Sequence, residues 1–473
     1  KLSRKCPSLS VWPRCWSIAI VCWARVIVVN EIDPDEPMIA QKEFIKRRKQ
    51  LMRMVSDDAI IILPSAPERI RSNDTHYPYR QDSDFWYLTG FAEPDAVLVM
   101  VPGRKHGENL LFCRERNPER EAWDGPRVGP EGSVETLGMD DAYSIDDLDD
   151  ILPGLLEGRR RVYYHFGRDK EFDLKLIGWL NRTRAHMRMG AEPPHEFLEL
   201  GHHLHECRLF KSKDEIKLMQ RSADIAAQAQ VDAMHATRPG AYEYEIEAVL
   251  QFCYKKNNAV ASYEPIVGSG ANACVLHYRA NNARLNDGDL LLCDAGAEYD
   301  YYASDITRTW PVNGRYSKEQ RALYQIVLDA QTAALSKARV GQPWIAGHEA
   351  AVGVLTEGLL SLGLLKGTVK QNIASGEYRK FYMHKTGHWL GLDVHDVGEY
   401  KVAGDFRELE AGMVFTIEPG LYIPPGTKGV PAKYQGIGIR IEDDVLITAN
   451  GCDVLSDKVP KTMDAIEAIL AER

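Results

Sequence analysis

The stretch LLLCDAGAEYDYYASDITRT, residues 290–309, places two aspartates at the ends of predicted strands. An apolar run ends in Asp294, and Asp305 follows eleven positions later, before a second β-prone run. A hairpin between the runs would bring the two carboxylates side by side. Each acid could instead be an ordinary turn or cap residue. Because a buried charge needs a partner or a metal, an acid that closes a run of leucines favours a binding role.

The segment FYMHKTGHWLGLDVHDVG, residues 381–398, is the richest in histidine with neighbouring glycines. It contains His384, His388 and His395. A lone histidine is usually structural or merely exposed, but three in a glycine-rich segment make a functional role as expected as a structural one. The segment GHHLHE, residues 201–206, is denser in histidine but lies at a predicted domain junction with no acid-bearing strand beside it. It is therefore predicted to be a solvated linker.

Two further glutamates lie at predicted strand ends. Glu418 precedes a Pro-Gly turn, and GIGIRIE, residues 436–442, alternates so that Gly438, Arg440 and Glu442 share one face. Gly438 is expected to leave room on that face. The alternative interpretation is an amphipathic strand with a surface Arg–Glu pair.

Together these segments offer four carboxylates and one imidazole. Oxygen-rich sites with one nitrogen suit hard or borderline divalent ions such as Mn²⁺. Four carboxylates carry more charge than one divalent ion neutralises, so two ions are expected, about 3.5–4 Å apart if they activate a shared water. The pattern predicts a two-metal hydrolase.

Bulk properties exclude several other classes. The 473 residues carry a net charge of −10 with acids and bases mixed, so nucleic acid is not an expected partner. Nine cysteines, an odd number without a CxxC pair, favour a reducing compartment, and we expect a cytoplasmic protein. The apolar run near the start is interrupted by Arg25 and is too short to span a membrane. Residues 1–37 are expected to be a disordered extension, or an upstream translated segment with Met38 as the functional start, rather than a targeting peptide.

The rest of the chain divides into two predicted domains, 38–206 and 207–473. In the first, strands such as 59–64, 96–102, 109–113 and 161–165 alternate with helices such as 43–54 and 172–182, which predicts an α/β domain. The second opens with a long helix whose start, Ser212-Lys-Asp-Glu215, is a capping-box pattern. Further helices are expected over 244–255, 318–339 and 348–362.

The order Asp, Asp, His-Gly-rich segment, Glu-Pro-Gly and Ile-Arg-Ile-Glu resembles the pita-bread metallopeptidases: methionine aminopeptidase, prolidase and aminopeptidase P. The segment SDFWYLTGF, residues 83–91, followed by EPDAV, residues 93–97, resembles the N-terminal region of aminopeptidase P. The likeness covers nearly everything from Met38 onward. It implies an α/β N-terminal domain followed by a pita-bread catalytic domain.

The resemblance also implies roles for individual residues. Two metals, most simply Mn²⁺, would be held by Asp294, Asp305, His388, Glu418 and Glu442. Asp305 and Glu442 would bridge both ions, while Asp294 would serve one and His388 with Glu418 the other. A hydroxide that bridges the ions would attack the scissile carbonyl, and Glu418 could accept the proton of the attacking water.

Other residues are implied to line the substrate site. His277 and His395 could donate to the carbonyl oxygen, His384 would lie closer to the residue after the cut, and Arg440 could hold a ligand in place. Tyr422 is a further pocket candidate. Trp123 could reach the active site of a neighbouring subunit, because relatives form dimers or tetramers, or it could be a surface tryptophan without a catalytic part.

The expected substrates are peptides with proline in second place. A prolidase, which takes only Xaa-Pro dipeptides, shares the same metal set and remains the nearest alternative. Methionine aminopeptidase usually lacks so large an N-terminal domain. A metal-free creatinase-like enzyme or scaffold on the same fold is less favoured, because those relatives lose the carboxylate set.

Overall fold

A computed structural model describes residues 39–473 of the chain. The expectations for residues 1–37 lie outside the described residues. Within residues 39–473, none of the helices has both the length and the apolar character needed to cross a membrane.

The first part of the described chain is an α/β unit around a mixed six-stranded sheet of order β6-β5-β4-β1-β7-β8. The six strands of this sheet are β1 Ala59–Pro64, β4 Val97–Met100, β5 Asn109–Cys113, β6 Asp141–Ser144, β7 Arg161–Tyr164 and β8 Glu196–Glu199. Two further strands, β2 Ile70–Ser72 and β3 Thr75–His76, form a separate two-stranded sheet. The helices of this part are α1 Gln41–Met54, α2 Ser83–Thr89, α3 Pro118–Asp124, α4 Gly129–Leu137, α5 Leu148–Leu156 and α6 Lys170–Ala185. The predicted α/β character and the predicted strands and helices of this part are confirmed within a few residues.

Strand β1 is buried on both faces, which explains its uninterrupted apolar sequence. Ile60 and Ile62 pack into a core shared with α5 and α6. Ile61 and Leu63 face the opposite core, which contains side chains of α1 and α2. The same core includes Leu390 and Leu392 from the histidine-rich segment, so the first part of the chain packs directly against the candidate site.

The second part carries short antiparallel sheets covered by helices. Its strands are β9 Val260–Ala261, β10 Ile266–Ser269, β11 Leu290–Asp294, β12 Ala297–Tyr299, β13 Tyr302–Ala303, β14 Thr307–Pro311, β15 Lys401–Val402, β16 Asp405–Phe406, β17 Val414–Ile417, β18 Gly420–Ile423, β19 Ile437–Arg440, β20 Asp443–Thr448 and β21 Gly451–Val454. Its helices are α7 Gly201–Leu209, α8 Lys213–Ala236, α9 Glu243–Lys256, α10 Lys318–Leu335, α11 Ile345–Ser361, α12 Val369–Ser375 and α13 Met463–Ala471.

The capping box predicted at the start of the long helix is present in α8. The Ser212 backbone N–H donates to Glu215 Oε2 at 2.8 Å, and the Glu215 N–H donates to Ser212 Oγ at 3.4 Å. These two bonds satisfy backbone donors that the first turn of a helix leaves without partners. The local sequence therefore sets where α8 begins.

The predicted solvated linker at 201–206 is wrong, because these residues form most of helix α7. Leu204 is fully buried, and His205 Nε2 lies 3.2 Å from Asp84 Oδ2. The acidic partner comes from α2, 121 residues earlier in the chain, so no local pattern could reveal it. Residue 206 thus lies inside a helix, and the domain limits stay a prediction.

Candidate metal centre

The two aspartates meet because β11 and β14 pair in antiparallel register. Asp294 closes β11 opposite Thr307, and Asp305 lies two residues before β14 begins. The excursion between them is a small hairpin of its own, β12 and β13. The predicted proximity is therefore correct, but it arises across two strands that flank an inserted hairpin.

A single hydroxyl joins the two acids. Tyr263 donates towards Asp294 Oδ1 and Asp305 Oδ1, each at 2.5 Å. Tyr263 was not predicted, because it lies in the segment between β9 and β10 with no periodic or spacing signal. Its hydroxyl marks the point on which the two carboxylates converge.

The glutamates lie in the two connections that follow paired strands. Glu418 lies between β17 and β18, and Glu442 lies between β19 and β20. Thr307 Oγ1 donates to Glu442 Oε2 at 2.5 Å, and the Glu442 N–H donates to the Thr307 carbonyl at 3.1 Å. Pairing of β18 with β19 brings both glutamates to one end of this strand pair, and the Thr307 contacts join Glu442 to β14, which follows Asp305.

His388 is oriented by its backbone and by one ring nitrogen. Its N–H donates to Thr416 Oγ1 at 3.1 Å, and its Nδ1 lies 3.0 Å from the Trp389 carbonyl. A carbonyl can only accept, so Nδ1 carries the proton and Nε2 keeps its lone pair. Nε2 points to the acids, 3.4 Å from Asp305 Oδ2 and 3.9 Å from Glu418 Oε1.

Gly387 makes this placement of His388 possible. A Cβ at this position would lie 1.9 Å from the Thr416 carbonyl oxygen. We expect Gly387→Ala to push the His388 backbone away from β17, lowering the free energy of unfolding by about 1–3 kcal/mol and reducing bound metal. Denaturant titration and elemental analysis of the purified protein measure the two effects.

Gly353, in the middle of α11, provides the matched control. A Cβ there meets nothing within 4 Å, and alanine is favoured over glycine inside a helix by roughly 0.5–1 kcal/mol. Gly353→Ala should therefore leave metal content unchanged and not destabilise the fold. Equal behaviour of the two variants would contradict the assigned role of Gly387.

The candidate ligands line one cavity of about 730 Å³. Its wall includes all five predicted metal ligands together with four predicted catalytic residues: Asp294, Asp305, His388, Glu418, Glu442, His277, His384, His395 and Arg440. Ligand atoms of Asp305, His388 and Glu442 all lie within 4.8 Å of one another. Trp123 is not on this wall; it lies on α3 with 87% of its surface exposed.

The acid that Arg440 contacts is Asp294, on β11, rather than Glu442, which lies two residues further along the chain. Its Nη2 donates to Asp294 Oδ2 at 2.5 Å, and its Nε lies 3.2 Å from Thr307 Oγ1. Nη1 donates to the Tyr422 hydroxyl at 3.0 Å. The predicted space beside Gly438 is not open, because a Cβ there would lie 2.2 Å from the Ala273 carbonyl oxygen.

His384 has partners for both ring nitrogens. Nδ1 lies 2.7 Å from the Lys385 carbonyl and must donate to it, so Nε2 accepts from the Tyr422 hydroxyl at 2.9 Å. Burial and the Arg440 charge lower the pKa of His384 to about 3, which keeps the ring neutral. The chain from Arg440 through Tyr422 to His384 is thus fully polarised in one direction.

The other two cavity histidines are less constrained. The His395 ring packs edge-on against His388 with centroids 4.2 Å apart. Burial, followed by the neighbouring His388, lowers the pKa of His395. His277 lies on the exposed part of the wall. Either ring can turn a nitrogen towards a bound molecule.

The electrostatics of the acids fit a cationic occupant. Burial, reinforced by neighbouring carboxylates, raises the pKa of Asp305 and Glu442, and burial with the Glu442 charge raises that of Glu418 to about 8. Arg440 supplies one positive charge for four clustered carboxylates. Divalent cations would offset the remaining repulsion, and the oxygen-rich donor set suits them.

A further acid supports the site from behind. The Asp305 N–H lies 3.2 Å from both oxygens of the buried Asp444. Next to it, Asp443 pairs with Arg308 at 2.7 Å. The run Glu442-Asp-Asp444 after an apolar strand is the sequence signal that could have indicated this support.

Comparison with known proteins places this site in a class. Residues 44–163 match the aminopeptidase P N-terminal domain, and residues 217–449 match metallopeptidase family M24. These matches, together with a cavity whose wall includes the four carboxylates and the imidazole of the predicted ligand set, identify the chain as a metallopeptidase. The predicted arrangement of an N-terminal α/β domain and a pita-bread catalytic domain is confirmed.

Individual relatives narrow the class to one family. The Xaa-Pro aminopeptidase of Escherichia coli (strain K12) is 43% identical over 434 residues, which cover 91% of this chain and 98% of that protein. The structure of Pseudomonas aeruginosa aminopeptidase PepP superposes with a TM-score of 0.91 at 54% identity, covering 92% of this chain and 98% of that one. A zinc-substituted E. coli aminopeptidase P in complex with product gives a TM-score of 0.89 at 42% identity, covering 92% and 99%. The chain belongs to the aminopeptidase P family of Xaa-Pro aminopeptidases.

Proposed function

We propose that this protein is a metalloaminopeptidase that releases the N-terminal residue from peptides with proline in second position. The observation that carries the proposal is the convergence of the five predicted ligands on one cavity of a chain 43% identical to a Xaa-Pro aminopeptidase. The ligand set is complete, which disfavours a metal-free relative.

Asp294, Asp305, His388, Glu418 and Glu442 would hold two divalent ions. When bound, such ions supply a Lewis acid and make water nucleophilic at neutral pH. Glu418 would also accept a proton from the attacking water, because its carboxylate lines the same cavity.

The histidines would act on the peptide. His277 and His395 can each donate to the carbonyl oxygen as negative charge develops on it. His384, held by Tyr422 and the Lys385 carbonyl, would line the pocket beyond the cut and keep its shape rather than donate a proton. Arg440 would orient Asp294 and Tyr422 at the edge of this pocket, since it donates a hydrogen bond to each.

Substrate length separates this function from that of a prolidase. A Xaa-Pro bond has no N–H, so a site that grips the free amine and the proline ring does not need that donor. We expect the protein to cleave Xaa-Pro-Yaa tripeptides and longer peptides and to release their first residue. Amino-acid analysis of the products measures this release. The same peptides with alanine in second place serve as controls. Cleavage confined to Xaa-Pro dipeptides would identify a prolidase instead.

We propose Mn²⁺ as the resident ion, because four of the five proposed ligands are carboxylates, which supply hard oxygen donors, and only one is an imidazole. Elemental analysis of protein purified without added metal tests this assignment. Two manganese ions per chain support it. Active protein that contains no divalent ion would favour the metal-free alternative.

We also propose a homodimer or homotetramer in which Trp123 reaches a neighbouring active site. The motivating observation is its exposure, since large aromatic side chains are enriched at interfaces. Trp123→Ala is then expected to raise KM for tripeptides several-fold without changing metal content. Exposed Phe252, on α9 and outside the cavity wall, supplies a control substitution. A monomer in sedimentation experiments would contradict the proposed assembly.

A cytoplasmic location is proposed from the thiols. Within residues 39–473 the six cysteines are all free, as expected in a reducing compartment. Fractionation of cells that produce the protein, with detection by antibody, tests this location.

A further inference from the structure

Arg208, in helix α7, is a buried charge shared between the two parts of the chain. Only 2% of its surface is exposed. Its guanidinium donates to three carboxylates: Asp84 Oδ1 at 2.7 Å, Asp393 Oδ2 at 2.8 Å and Asp396 Oδ1 at 2.5 Å. The planar guanidinium presents five donors in a fixed fork that reaches several carboxylates at set positions, whereas a lysine ammonium is a compact charge with three donors on a flexible stem.

Two of these acids flank His395 of the candidate active site. Asp393 lies two residues before His395, and Asp396 follows it directly. Their side chains turn away from the cavity towards Arg208, while His395 lines the cavity. His395 therefore lies on a short segment that is held on both sides, by Asp393 before it and Asp396 after it.

The segment is also curled on itself. The Asp396 N–H donates to the Trp389 carbonyl at 2.8 Å, and the Gly391 N–H donates to the Asp393 carbonyl at 3.1 Å. A Cβ on Gly391 would lie 2.1 Å from Asp396 Oδ2. The curl therefore has little room for an altered side-chain arrangement around Arg208.

The third acid, Asp84, belongs to helix α2 of the first part. Arg168 Nη1 at 3.1 Å and His205 Nε2 at 3.2 Å are hydrogen-bonded to it, and His165 Nε2 lies 3.1 Å away. These groups fix the position of the Asp84 carboxylate in the first part of the chain. Arg208 connects that fixed point to the segment of His395.

Two more contacts join α2 and its flank to the same segment. Ser83 Oγ donates to Asp393 Oδ1 at 2.7 Å, and Arg80 Nη2 donates to the Leu392 carbonyl at 2.6 Å. On the opposite side, Lys211 Nζ pairs with Asp396 Oδ2 at 2.9 Å. Arg208 and Lys211 thus bring two positive charges to three acids, of which Asp84 and Asp396 are buried.

We propose that Arg208 is a positioning residue that holds His395 in the active-site cavity through Asp393 and Asp396. The first part of the chain then contributes to the geometry of the reaction, although Asp84 and α2 supply no group to the cavity wall. The inference rests on the proposed function, because its readout is peptide hydrolysis.

A double-mutant cycle tests the proposal. Arg208→Lys, His395→Ala and the double variant are compared with the wild-type full-length metal-loaded protein on one Xaa-Pro-Yaa tripeptide. A misplacement near 1 Å can cost on the order of 10²-fold in rate. We expect Arg208→Lys to lower kcat by roughly 10- to 100-fold in the wild-type background and to have almost no further effect when His395 is absent. Metal content should stay at the wild-type value.

Arg48→Lys is the matched control. Arg48 is equally buried, but it donates to the carbonyls of Leu88, Leu137 and Gly138 within the first part of the chain. Its substitution is expected to lower the melting temperature and to change kcat by the same factor with or without His395. Asp393→Asn, at a half-exposed position, replaces Arg208→Lys if the latter does not fold.

The outcomes are separable. No cleavage of the tripeptide by wild-type protein overturns the proposed function. Cleavage by wild-type protein with an Arg208→Lys effect of equal size in both backgrounds, or with no effect on kcat, overturns the positioning role alone.

Discussion

Replacing Glu418 by alanine is expected to abolish turnover while the fold stays intact. Glu418 Oε1 lies 3.9 Å from His388 Nε2, so the carboxylate belongs to the proposed metal set as well as being the proposed base. Loss of a general base alone costs about 10²–10⁴-fold in rate, and loss of a ligand adds to it. The measurements are kcat/KM on a Xaa-Pro tripeptide, bound metal and circular dichroism.

The fold should survive because the main contact of Glu418 with its surroundings is made by its backbone. Its N–H donates to the Thr386 carbonyl at 2.8 Å, and alanine keeps that bond. Removing one of four crowded carboxylates also relieves repulsion in the metal-free protein. We therefore expect the metal-free variant to melt no lower than the metal-free wild type. Near-normal hydrolysis by Glu418→Ala would refute the assignment.

Two substitutions control for effects outside the site. Asp82 caps α2 by accepting from the Phe85 N–H at 2.9 Å, and its loss should cost about 1 kcal/mol in the free energy of unfolding. Buried Glu467 accepts from the Tyr316 N–H and pairs with Arg321. Asp82→Ala and Glu467→Ala should both lower the melting temperature but leave the metal content unchanged.

Removing the metals is expected to have the second largest effect. The carboxylates of Asp305, Glu418 and Glu442 are buried beside one another, and each has a raised pKa in the metal-free cavity. Dialysis against a chelator should abolish hydrolysis, and added Mn²⁺ should restore it. Because the ions bind the folded state, the loss also removes stability, about 2.7 kcal/mol for an ion present at 100 times its Kd.

Thermal melting with and without Mn²⁺ measures this second effect. Glu418→Ala provides the comparison, since its weaker metal site should show a smaller shift in melting temperature on adding Mn²⁺. Protein that is free of metal by elemental analysis and still cleaves the tripeptide at the wild-type rate would rule out a metal-dependent reaction.

Much of the site was predictable because its signals are local. An acid that closes an apolar run marked Asp294, and strict alternation predicted that Arg440, the last residue of β19, and Glu442, two residues further on, share one face. The capping box at Ser212 and the regular helices follow from short-range bonding in the same way. These features depend on neighbours a few residues away, which a sequence displays directly.

The missed features depend on distant partners. Tyr263 matters because its hydroxyl meets two acids 31 and 42 residues further along the chain. His205 was predicted to be solvated because its partner, Asp84, belongs to another part of the fold. Gly438 promised open space, yet the Ala273 backbone occupies it.

The sequence by itself determined the chemistry of this protein: the kinds of ligand, their order and the family to which they belong. These properties follow from side-chain type and short-range pattern. Only the tertiary structure decided which groups meet. Arg208 joins acids 124 residues before it and 188 residues after it, because burial forces each of these charges to find a partner wherever packing brings one within reach.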